Sequence, residues 1–128
     1  MIRFILHSKG ADKAGNAPNG AVEKGKPGEK QNAEDRWLTG FECYGHAGYA
    51  QEGSDIVCAA VSILTVTCAN ALETVAKVKP LVISKPGKMI LKLPDGCGRD
   101  AQVILLTLRQ GMRDLAREYS QYLVLNES

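Results

Sequence analysis

"SDIVCAAVSILTVTCANALETVAK", residues 54–77, decides the fold. Ile56, Val57, Ala60, Val61, Leu64, Cys68, Ala71, Leu72 and Val75 recur there at spacings of three and four, the rhythm that gathers side chains on one face of an α-helix. Ser54 and Asp55 stand in front of the stripe and are preferred N-cap types, because their side-chain oxygens accept from the unpaired N–H groups of a first turn. The spacing predicts a long helix ending near Lys77, its apolar face covered by other elements. With Asp55 as the cap, Cys58 takes the third helical position.

Downstream, "KPLVISKPGKMILKLPDG" (79–96) reads as two short strands joined at Pro86-Gly87 and stopped by Pro94-Asp95-Gly96, hence a hairpin. A second helix follows, with Asp100 as its expected cap and Ala101, Ile104, Leu105, Leu108, Met112, Leu115 and Tyr119 on one face. Gly111 weakens it by ~1 kcal/mol relative to alanine without ending it. Val103 and Leu106 lie off that face and are either buried within the chain or turned to a partner. Tyr122 to Leu125 suits a short closing strand.

Upstream, "IRFIL" (2–6) reads as a first strand and "WLTGFECYGHA" (37–47) as a second, with Gly40 a candidate bulge. Between them residues 9–35 carry glycine, proline, asparagine and mixed charge with almost no large apolar side chain, so this long charged insertion loop cannot bury a face of its own. It is either a tolerated surface excursion or a functional one. The order strand, strand, helix, strand, strand, helix predicts one α+β domain over residues 1–128, a mixed or antiparallel sheet of about four strands with two helices packed on one face.

Composition narrows the function. The formal charge of +2 is too balanced for a sequence-independent nucleic-acid surface, so no direct nucleic-acid partner is expected. The N-terminus lacks the apolar run of a secretory signal, which makes the cytoplasm the expected location, with no membrane association. Cys43, Cys58, Cys68 and Cys97 include no CxxC pair, and His7 and His46 are the only histidines, so neither a metal nor another cofactor is expected.

The chemistry concentrates around "YGHAGYAQEGSDIVCAAVS" (44–62). Cys58 at a helix start meets unpaired N–H groups and the positive end of the dipole, which favour a thiolate. His46, at the exit of a strand, is placed to take the thiol proton. Cys58, Ser62, Thr65 and Ala69 form a strip rotated from the main apolar stripe, so Cys58 is off the core face unless it is simply one more buried cysteine. Asp55 is better suited to capping than to a third catalytic role, since its charge opposes the thiolate. Gly45, Gly48 and Gly53 suit a hinged loop. A His46–Cys58 pair with first-turn N–H groups as an oxyanion site is the equipment of acyl transfer.

The same stretch closely resembles the signature of the bacterial ribosomal-processing cysteine protease (Prp) family, a Gly-His-Ala strand exit followed by an Asp-Ile-Val-Cys-Ala-Ala-Val-Ser helix start. "NALE" (70–73), the hairpin and "LRQGMRDLAREY" (108–119) add to it. The resemblance implies that His46 and Cys58 are the catalytic dyad, with Asp55 and Ser62 in supporting positions. It further implies an α+β homodimer that removes a short N-terminal extension from a large-subunit ribosomal protein, the twenty-seventh in standard naming, cutting after an aromatic residue. The insertion at 9–35 departs from the family, which has a brief turn there. Two rival readings keep part of this picture: a non-catalytic ribosome-assembly or interaction module, and a cysteine hydrolase acting on a small molecule.

Overall fold

The computed structural model describes residues 1–10, 37–45 and 54–127, with backbone alone at Ser54 and Asp55. The insertion beyond Gly10, His46 and the rest of the glycine-containing loop lie outside the described residues.

Seven elements follow in chain order: β1 Ile2–Lys9, β2 Trp37–Tyr44, α1 Ser54–Thr74, β3 Leu81–Lys85, β4 Lys88–Lys92, α2 Gly98–Glu118 and β5 Leu123–Glu127. They form an α+β fold with one five-stranded mixed sheet in the order β3-β4-β2-β1-β5. The closing strand takes the count to five where about four were expected. It pairs parallel to β1, from Ile2 opposite Leu123 to Leu6 opposite Glu127, while the other three pairings are antiparallel.

Alternation places Ile2, Phe4 and Leu6 of β1 on the helix-facing side, all buried, with Phe41 of β2 and Leu91 of β4 beside them. Phe4 and Phe41 stack at a centroid distance of 5.1 Å. Val57, Val61, Cys68 and Leu72 of α1 and Ala101, Leu105, Leu108 and Met112 of α2 complete this core.

Two of the expected stripe residues are not covered. Ile56 is 61% and Val75 65% exposed. Ile56 lies about 100° around the helix from buried Val57, and Val75 lies just past Thr74, the last helical residue. The helix also stops at Thr74, short of Lys77, which takes φ 58° and turns the chain away while the Val78 N–H donates to the Leu72 carbonyl at 2.8 Å.

At the start of α2 the expected cap is also displaced. Cys97 holds the N-cap position, and Asp100 lies inside the first turn, where its charge still complements the helix dipole. Leu106 packs on the core of the same chain, whereas Val103 remains 48% exposed.

A buried polar clamp joins the layers. Gln102 of α2 accepts from the Leu38 N–H at 2.7 Å and donates to the Leu38 carbonyl at 2.6 Å. Next to it the β1–β2 register slips between His7 and Ser8, and Thr39 has no opposite number there. This is the bulge foreseen at Gly40, where a Cβ would stand 2.1 Å from the Leu91 carbonyl oxygen; only glycine lets β2 and β4 approach so closely.

Candidate active site

β2 leads to the site. Its Cys43 pairs with Phe4 and therefore points to the helix side of the sheet, next to Phe41 two residues earlier. At the strand end the Gly45 N–H donates to the Gly87 carbonyl at 2.9 Å, tying the strand exit to the β3–β4 turn. Gly45 has φ 94°, and a Cβ on it would stand 2.5 Å from the Met1 carbonyl oxygen. Glycine is thus required for both conformation and space, one residue ahead of His46.

α1 supplies the thiol from the opposite wall. The helix opens at Ser54, so the backbone of Asp55 falls within the first turn, and Cys58 is the fifth helical residue where the third was expected. Cys58 consequently stands just behind the unpaired N–H groups of the first turn. The side chains of Asp55 and His46 lie outside the described residues.

Cys58 is half-buried, packed against the edge of the core, and lines a cleft of about 200 Å³. Gly45, Ser62, Thr65, Cys43 and Met89 share the walls. Ser62, one turn beyond Cys58, is solvent-exposed at its rim. Thr65 is buried and donates to the Val61 carbonyl at 2.9 Å, which satisfies the hydroxyl inside the helix. The strip of Cys58, Ser62 and Thr65 thus borders the cleft, and only Thr65 goes fully under cover.

The other thiols differ in environment. Burial pushes the Cys43 thiol up to about 11, helped by the charge of the neighbouring Cys58. Burial alone pushes Cys68 up to about 12, as fits a packing residue on the core face. Cys97 is buried at the start of α2, where Gln102 reaches its sulfur at 3.9 Å.

Sequence reasoning did not find Cys43, Gly87 or Met89 at this site. They come from β2, the hairpin turn and β4, and only the antiparallel pairing of β2 with β4, Cys43 opposite Met89, brings them together. The sequence marks Gly45 for positive φ and close backbone approach, but its tie to Gly87 depends on strand order.

A larger cavity of about 570 Å³ lies on the solvent side of the sheet, lined by His7, Glu42, Ile83, Ile90 and Lys92. There His7 and Tyr44 both bond the Glu42 carboxylate, whose pKa is held down by the Tyr44 hydrogen bond first and then by that from His7. Glu42 alternates with Cys43, so this network sits on the face opposite the thiol.

Known proteins are similar to this chain in sequence and fold. A protein of Bacillus subtilis described as ribosomal processing cysteine protease Prp is 29% identical over 84 residues, which cover 64% of this chain and 75% of the relative. The fold matches the crystal structure of SMU.848 from Streptococcus mutans at a TM-score of 0.70 and 24% identity, covering 99% of this chain and 93% of that one. It also matches an essential ribosomal processing protease Prp from S. aureus, crystallised with a substrate peptide, at a TM-score of 0.72 and 21% identity over 100% of both chains. The family model for cysteine protease Prp matches residues 30–124, a span that runs from before β2 into β5 and includes Cys58; the chain belongs to this family of cysteine proteases.

Proposed function

We propose that this protease removes the N-terminal extension of a large-subunit ribosomal protein, the twenty-seventh in standard naming, cutting after an aromatic residue with Cys58 as nucleophile and His46 as general base. The observation that carries the reading is the cleft itself: Cys58 stands on one wall, and on the other Gly45 delivers the chain one residue before His46.

In this mechanism His46 takes the Cys58 proton and the thiolate attacks the scissile carbonyl carbon. The resulting oxyanion is stabilised by N–H groups of the first turn of α1. As the tetrahedral species collapses, the C–N bond breaks and His46 returns its proton to the leaving amine, leaving a thioester on Cys58. Water, deprotonated by His46, then releases the acid and restores the thiol. Asp55 in the first turn and Ser62 one turn behind Cys58 take supporting roles. The S. aureus relative has also been crystallised with a covalently linked product peptide, which supports a covalent route.

The working form in this proposal is a cytoplasmic homodimer. α1 is long and apolar enough to cross a membrane by length and composition, but Val57, Val61, Cys68 and Leu72 pack on the core of the chain. Ile56 and Ile63 on its outer side are each more than half exposed, a face suited to a second copy.

Mass-spectrometric cleavage of an N-terminally extended ribosomal precursor by wild type, Cys58→Ala and His46→Ala tests the reading. One cut after an aromatic residue, lost in both variants, is expected. A precursor left intact by folded wild-type protein overturns the substrate, and equal cutting by Cys58→Ala overturns the nucleophile.

A further inference from the structure

The Cys43 thiol is unused by the proteolytic mechanism, yet it shares the walls of the Cys58 cleft. Both side chains are half-buried on the helix side of the sheet, one on β2 and one on α1. They are close enough for the charge of Cys58 to act on the ionisation of Cys43.

The other two thiols are out of reach. Cys68 lies ten residues along α1 from Cys58, roughly 15 Å at the helical rise, and on the core face. Cys97 lines a pocket with Trp37 and Leu38, at the far end of β2 from Cys43 and roughly 20 Å away at the strand rise.

We propose that Cys43 is a resolving cysteine: when a hydroperoxide oxidises Cys58 to the sulfenic acid, Cys43 captures it as a Cys43–Cys58 disulfide that switches the protease off reversibly. The inference rests on the reading of Cys58 as the reactive nucleophile. In the first step the Cys58 thiolate attacks a peroxide oxygen. An S–O bond forms and the O–O bond breaks; the sulfur is oxidised by two electrons, and the departing oxygen leaves as water or alcohol after taking a proton. In the second step the Cys43 sulfur attacks the Cys58 sulfur. An S–S bond forms, the S–O bond breaks, and the hydroxyl leaves as water with the Cys43 proton. Reduction by an external dithiol restores both thiols.

The environments divide the two roles. A thiol pushed up to about 11 stays protonated at neutral pH, so Cys43 is a poor target for the peroxide. Once Cys58 is a neutral sulfenic acid, the charge that helped to raise Cys43 is gone, while burial continues to raise it. Resolution is therefore slow for a free thiol and depends on the two sulfurs sharing one cleft. Its consequence is protection: a trapped disulfide cannot proceed to the sulfinic acid, which ordinary thiols do not reverse.

The test treats the full-length wild type, Cys43→Ala and Cys43→Ser with hydrogen peroxide and follows intact mass, linked peptides and activity, each protein normalised to its own untreated rate. Wild type is expected to lose about 2 Da, yield a Cys43–Cys58 linked peptide, lose activity and recover it with dithiothreitol. Both variants are expected to gain about 32 Da at Cys58 and to recover less than a tenth of their activity. Dimedone added to Cys43→Ala separates the two layers of the argument. Labelling of Cys58 there, together with a wild type that forms no linked peptide and over-oxidises at the same rate, overturns the resolving role alone. Absence of labelling overturns the reactive Cys58 on which the inference rests.

Discussion

Gln102→Leu removes the clamp between α2 and β2. The side chain makes two short hydrogen bonds to the backbone of Leu38, 2.7 Å from the N–H and 2.6 Å to the carbonyl, and Gln102 is only 5% exposed. Leucine has similar bulk but leaves both backbone groups without these partners, at about 1–3 kcal/mol each. Added apolar burial returns about 1–2 kcal/mol, so the net loss comes to roughly 3 kcal/mol. With a urea slope of roughly 2 kcal/mol/M for a chain of this size, the unfolding midpoint falls by about 1.5 M with the slope unchanged. Gln102→Ala adds a cavity and loses at least as much. Equilibrium urea unfolding followed by far-ultraviolet circular dichroism measures both. A midpoint loss below about 0.5 M for Gln102→Leu would refute the reasoning, since it would mean that Leu38 finds other partners at little cost.

Further outcomes bear on the site and on pH. At pH 8 iodoacetamide should leave Cys43 and Cys68 unmodified, because thiols pushed up to about 11 and about 12 hold very little thiolate there; rapid labelling of either, read by peptide mapping, contradicts the burial assigned to it. Gly45→Ala, which needs φ 94° and puts a Cβ 2.5 Å from the Met1 carbonyl oxygen, should lower kcat for precursor cleavage at least tenfold, with about 1–3 kcal/mol lost from stability; wild-type turnover would show that this joint does not position His46. The Arg113 guanidinium donates to both Glu127 oxygens at 2.8 Å and lowers that carboxyl below its ordinary 4.5. Its stabilising effect is therefore full above that value and disappears as pH falls through the folded one. Arg113→Ala should cost less than about 1 kcal/mol at pH 7 and nothing at pH 2, as thermal unfolding at the two pH values will show. Ile63→Asp, on the outer face of α1 where Ile63 is 64% exposed, should leave folding intact and shift sedimentation of the proposed dimer to the monomer; unchanged sedimentation removes this face from that proposal.

Much of the architecture is carried by local pattern. The stripe from Val57 to Leu72, the Pro86-Gly87 turn and the face from Ala101 to Met112 each announce their element because side-chain periodicity is a property of neighbouring residues. Helix ends were less legible. Asp55 and Asp100 are good capping types, yet α1 opens one residue ahead of the first and Cys97 occupies the cap of the second. Preference for a cap is weak beside the packing that sets where a helix begins.

The sequence by itself determined the α+β class, the bulge at Gly40 and the candidacy of Cys58, because periodicity, turn chemistry and a thiol at a helix start are all written within a few residues of one another. Tertiary structure alone decided that β5 runs parallel to β1 and that Gly45 is tied to Gly87. It alone also placed Cys43 beside Cys58 and buried Gln102 on Leu38. Each of these depends on which strands pair and in what register, and pairing is settled by the joint burial of distant apolar faces, which no local stretch of chain contains.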